Sequence, residues 1–115
     1  MDSCSSFNSS SVQNTANLGV SLSELMNKAT SKYTSNSSAI KKVTDALNST
    51  VKRAESIKNN KYVADSWKAL QNNVVNPFLA KWKANGTLDR STINAATAQV
   101  AASIANIAKA EVSKK

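Results

Sequence analysis

Apolar side chains recur every three or four positions along three successive segments of this chain, and no segment alternates apolar and polar residues with the period of two that a strand requires. The first stripe is Ile40, Val43, Leu47, Val51, Ala54 and Ile57. The second is Val63, Trp67, Leu70, Val74, Phe78 and Trp82, and the third is Ile93, Ala96, Val100, Ile104 and Ile107. Each puts one apolar face on a helix, and that face must be buried against another. Only 2 Gly and 1 Pro occur in 115 residues, too few for the turns of a sheet. The expected fold is all-α, a small antiparallel three- to four-helix bundle in one domain. A chain of this size hides about two-thirds of its unfolded surface. With a single Cys there is no internal disulfide, so packing alone must hold it.

Residues 1–19 lack an apolar period and are rich in Ser, Asn and Thr, which predicts a disordered Ser/Asn-rich arm ahead of a bundle domain over residues 20–113. Ser21-Leu22-Ser23-Glu24 reads as a capping box, with Val20 and Leu25 at staple positions. It predicts a short helix over about 22–33, with Leu22, Leu25, Met26, Ala29 and Tyr33 on one face and a break at Thr34 to Ser38. The second helix is expected over about 39–59 and stops at Asn59-Asn60-Lys61. The third opens near Tyr62 to Ala64 and ends at Asn85-Gly86. Pro77 falls inside it, which predicts a kink, or a restart with Asn76 as cap and Pro77 at the first helical position. The last helix starts after Thr87 or Asp89, either of which can cap it, and runs to about Val112 with Ala95, Ala98, Ala101, Ala102, Ala105 and Ala108 beside its stripe.

The run Tyr62-Val63-Ala64-Asp65-Ser66-Trp67-Lys68-Ala69-Leu70, followed by Thr87-Leu88-Asp89-Arg90-Ser91-Thr92-Ile93-Asn94-Ala95-Ala96, resembles the FIVAR module, a helical repeat of bacterial cell-surface proteins. The resemblance covers about residues 39–111, with Val63 where the family has Thr. It implies a three-helix spacer or adhesive module of a secreted or wall-associated protein, without catalytic residues.

No His is present, Cys4 is alone, and there is no Gly-rich loop. These absences remove His-based triads, paired-ligand zinc sites and phosphate-cradling loops. The seven acids are spread along the chain, most of them with a Lys three or four residues away, as Glu24 with Lys28 and Asp65 with Lys68. The expectation is a protein that is not an enzyme and takes no cofactor or metal. The composition of 18 Ser, 14 Asn and 8 Thr suits an extracellular or cell-envelope protein. No run of about 18 apolar residues offers a transmembrane segment. Met1-Asp2-Ser3 carries no export signal, so an exported protein would have lost its signal upstream. Cys4, heading Ser5-Ser6-Phe7-Asn8-Ser9, is a candidate lipid anchor of the lipoprotein kind.

The net charge is +8, and it is uneven. Residues 1–37 balance at zero, whereas residues 38–86 hold nine bases against three acids. Lys41, Lys42, Lys52, Arg53, Lys58, Lys61, Lys81 and Lys83, with Trp82 between the last two, are the candidate surface-binding residues. Trp67 is expected in the core; Trp82 closes the same stripe, and its place between two lysines near a helix end leaves partial exposure as an alternative. A basic helical face attracts protein or anionic envelope polymers at the cell surface. Nucleic acid is a less favoured partner because 13 of the 15 bases are Lys, and base readout favours Arg. The expected function is a non-enzymatic, secreted or cell-surface binding module. The alternatives are a small basic intracellular protein that binds nucleic acid or an acidic partner, and a membrane-associated immunity or exclusion factor.

Overall fold

A computed structural model describes residues 9–112. Among these residues there is no strand, and nearly all are helical: α1 (Ser9–Asn27), α2 (Ser37–Ser56), α3 (Lys61–Leu70), α4 (Asn76–Asn85) and α5 (Arg90–Val112). The molecule is elongated, 48 × 23 × 23 Å. Helix α1 touches α2 and α5, and α3 touches α2 and α5, so the rods close a ring around one core. Early α1 meets late α5, where the Thr15 hydroxyl donates to the Glu111 carboxylate at 2.6 Å. Late α1 meets early α5, where the Arg90 guanidinium donates to Asn27 Oδ1 at 2.8 Å.

Residues 9–19, read from composition as part of a disordered arm, are instead the first half of α1. Thr15, Leu18, Leu22, Leu25, Met26 and Ala29 recur at helical spacing and are buried. Gly19 between them leaves room for α5: a Cβ there would lie 2.9 Å from Ile104 side-chain carbons. The apolar signal of this half-helix is slight: Val12, Ala16, Leu18 and the missing side chain of Gly19. Burial against α5 stabilises it where composition does not. Ser21 consequently sits inside an unbroken helix rather than at its cap, and Val20 faces solvent instead of stapling the start. Residues 1–8, Cys4 among them, lie outside the described residues.

Helix α1 passes into a 3₁₀ turn at Lys28–Thr30. The break falls at Ser31 and Lys32, both extended, and not at Thr34 to Ser38, which join a second 3₁₀ turn (Tyr33–Asn36) and the start of α2. Between α2 and α3 the chain reverses at Asn59, whose φ of 60° is the left-handed conformation that Asn tolerates. Asn60 is buried and donates from Nδ2 to the Ala54 carbonyl at 2.9 Å, which also accepts the Ile57 N–H at the end of α2.

Pro77 neither breaks the third rod nor starts a capped one. Residues Gln71–Val75 form a π turn joining α3 to α4, with Leu70, Gln71, Val75 and Asn76 all in right-handed helical conformation. The Asn76 N–H donates to the Gln71 carbonyl, five residues back. A wider turn relieves the clash a proline ring makes with the preceding turn. It also shifts the core position: Val75, five residues after Leu70, is fully buried, whereas Val74 of the predicted stripe is only half-buried. Gly86, with φ of 82°, ends α4, and its N–H donates to the Trp82 carbonyl at 2.7 Å. Of the two candidate caps for α5, Asp89 serves: its carboxylate accepts the Thr92 N–H at 3.1 Å.

Candidate interaction surface

The nine residues singled out for surface binding do not converge. Helix α2 is about 30 Å long at 1.5 Å per residue. Lys81 and Lys83 lie at the end where α4 meets Tyr33, just before α2 begins, while Lys58 and Lys61 lie beyond the far end of α2. Trp82 leaves the set altogether. It is wholly buried, its ring 5.4 Å edge-on from Tyr33 and 6.2 Å from Phe78, and its indole N–H is bonded to the Ser31 carbonyl. The two flanking lysines point to solvent because they sit on either side of an inward residue on one helix. Trp67 is buried, as its place in the stripe predicts.

The aromatic group that does face solvent is Tyr62, 64% exposed, in the first turn of α3. Exposed Ile57 lies across the reverse turn from it. With Lys58 in the turn, Lys61 opening α3, and Lys52 and Arg53 in the last turns of α2, this end of the molecule combines two exposed apolar groups with four bases. The turn is held by the buried Asn60 and by the Ala64 N–H, which donates to the Asn60 carbonyl at 2.9 Å. Ile57 closes the first apolar stripe, whereas Tyr62 stands beside the second stripe and not in it. The tight turn at Asn59 is what leaves them uncovered.

Charge pairing decides which bases are available. Lys41 bonds Asp45 at 2.9 Å and Lys61 bonds Asp65 at 2.6 Å, each within one helix turn. Lys68 reaches across to Glu55 on α2 rather than to Asp65. The Lys61 ammonium holds the Asp65 carboxyl below its ordinary value, and the Glu55 carboxylate raises Lys68 above its own. All three acids of residues 38–86 are therefore occupied by lysines. Lys42, Lys52, Arg53, Lys58, Lys81 and Lys83 carry the remaining positive charge of that region.

Two other features were invisible while residues 1–19 were read as an arm. A polar recess of about 40 Å³ lies where α1, α5 and the α2–α3 turn meet, lined by Thr15, Arg53, Asn60, Trp67 and Glu111. That is room for a few waters. An open, mostly apolar groove runs between α1 and α5, lined by Ala16, Gly19, Val20, Ala101, Ile104 and Ala105, with Ser23, Glu24 and Asn27 also in its lining. Among the described residues no group of three or more acids, His or Cys lies together in a way that could hold a metal ion, and no helix is long and apolar enough to cross a membrane. Comparison of the chain with protein-family models, with curated proteins and with solved structures found no match.

Proposed function

We propose that the chain is a non-enzymatic antiparallel helical bundle of the cell surface or envelope, which docks onto an anionic envelope polymer through the α2–α3 turn. The observation that carries this reading is the exposure of Tyr62 and Ile57 beside Lys52, Arg53 and Lys58, three bases outside the ion pairs that neutralise Asp45, Glu55 and Asp65. Apolar groups flanked by cations suit a flexible polymer that alternates phosphate with hydrocarbon. Lysine acts there as a point charge, without the bidentate geometry that specific readout needs. The Ser-, Asn- and Thr-rich composition and the resemblance of residues 39–111 to a FIVAR spacer module favour the envelope as the setting. Cys4 is the residue through which a lipid would tether it.

Retention on immobilised polyglycerol phosphate tests the proposal. About three phosphate contacts should make retention fall some tens-fold between 50 and 200 mM salt. K58A and Y62A should each weaken it, and K81A should not. Equal loss with K81A, or no retention at low salt, overturns it. Tighter retention on duplex DNA than on the polyol phosphate would favour the nucleic-acid alternative instead.

A further inference from the structure

The outward side of α5 carries a pattern that the single chain does not use. Its core stripe, Ile93, Ala96, Val100 and Ile107, is buried against the other rods. On the opposite side Ala95, Ala98, Ala102 and Ala105 are all exposed, at the three-four-three spacing of a helix-pairing seam. Residues 91–108 contain no charged side chain in a protein of net charge +8. Beside this seam lies the α1–α5 groove with Ala16 and the 57%-exposed Val20, in which Glu24 is the one charged side chain of the lining. On α5 the nearest charged groups are Arg90 and Lys109, one beyond each end of the uncharged run.

The seam is also symmetric along the chain. About Val100, Ala98 mirrors Ala102, Ala95 mirrors Ala105, and Asn94 mirrors Asn106, while Thr97 mirrors the hydroxyl of Ser103. Two identical helices packed antiparallel about a two-fold axis bring together positions equidistant from the axis, because an isologous interface makes each contact twice. A two-fold at Val100 would set alanine on alanine across the seam and close each end with an asparagine pair. A partner of different sequence imposes no such mirror relation. Charge selects the same occupant: two copies of a strongly basic chain repel everywhere except across a neutral face.

From Ser91 to Lys109 the seam is about 27 Å long, and with α1 beside it the face is about 20 Å wide. That is about 500 Å² on each copy, close to the roughly 1,000 Å² in total that a specific interface needs. We propose that the α1–α5 face is a homodimer interface in which α5 pairs antiparallel with α5 of a second copy about a two-fold axis at Val100. The face lies on helices other than those that form the α2–α3 turn, so this inference does not depend on the proposed polymer contact.

Sedimentation of the full chain over a concentration series should show a reversible monomer–dimer equilibrium. It should strengthen with added salt, which screens repulsion between the copies and acts in the opposite sense on polymer binding. A98E, at an exposed position, should leave helicity and thermal unfolding of the monomer intact and abolish the dimer. The register is read by oxidative cross-linking in a C4S background. Mixing A98C with A102C should give disulfide dimer several times faster than either variant alone, because two copies of residue 98 are displaced by about 6 Å along the pair and out of disulfide reach. A chain that stays monomeric at every concentration, a dimer that survives A98E, or cross-linking no faster in the mixture each overturns the proposal.

Discussion

Trp82 donates its indole N–H to the main-chain carbonyl of Ser31 at 2.9 Å, across 51 residues of sequence. The bond belongs to a clasp at one end of the molecule. The Tyr33 N–H donates to the Gly86 carbonyl at 2.9 Å, and the Leu88 N–H to the Ala29 carbonyl at 2.7 Å, so the loop after α1 and the loop before α5 supply each other's backbone partners. W82F keeps most of the ring contact with Tyr33 and Phe78 and leaves the part-buried Ser31 carbonyl unpaired. It should cost about 1–3 kcal/mol, measured by urea unfolding followed by helical circular dichroism.

Leu18 tests whether the beginning of the described chain is structural. Were residues 9–19 an unpacked arm, L18A would be silent. With Leu18 buried in the core cluster, the substitution should cost about 2–4 kcal/mol. An unchanged urea midpoint would restore the reading of residues 1–19 as a disordered arm.

Gly19 reverses an ordinary expectation. Gly to Ala inside a helix usually stabilises by about 1 kcal/mol. Here the new methyl would meet Cγ1 and Cγ2 of Ile104 at 2.9 Å, and a β-branched side chain on a helix has little freedom to move away. G19A should destabilise by about 1–2 kcal/mol. I104A costs stability by itself, but adding G19A to it should have the opposite sign, which a double-mutant cycle reads directly.

The π turn makes a prediction about neighbouring valines. A continuous α-helix from Leu70 would direct Val74 inward, whereas the wider turn buries Val75 and leaves Val74 half-exposed. V75A should therefore cost about 2 kcal/mol and V74A less than half of that. Equal costs, or the reverse order, would mean the turn is α-helical.

Two titrations of opposite sign follow from the ion pairs and the cap. The Lys61 contact lowers Asp65, and the Thr92 hydroxyl and N–H lower Asp89, each from an ordinary value of 3.8. Their contribution is present above that value and is lost as the pH falls through the lower folded pKa. Lys68 is raised by Glu55 from 10.5, so its contribution is present below 10.5 and is lost above the higher folded pKa. Thermal midpoints should thus be flat near neutrality and fall at both extremes. D89A should lower the neutral midpoint and flatten the acid limb, while D89N, which retains a capping oxygen, should flatten the limb with a smaller loss at neutral pH.

Helix existence and the inward faces of α2, α3 and α5 were determined by the sequence alone, because a 3.6-residue period with strong apolar side chains is a local property. So were the ends marked by chemistry that acts over one turn: the stop at Asn59 and the terminating Gly86, while the choice of Asp89 over Thr87 as the cap of α5 came from the structure. Tertiary structure decided the rest. The first half of α1 exists because Leu18 joins the buried core and the missing side chain at Gly19 admits Ile104 of α5, a contact no window of sequence contains. Trp82, already on the apolar stripe, can be wholly buried because its N–H finds an acceptor in a loop 51 residues away. Lys68 chooses Glu55 over its helical neighbour because α2 and α3 pack side by side. Each depends on the free energy of bringing distant segments together, which local periodicity does not encode.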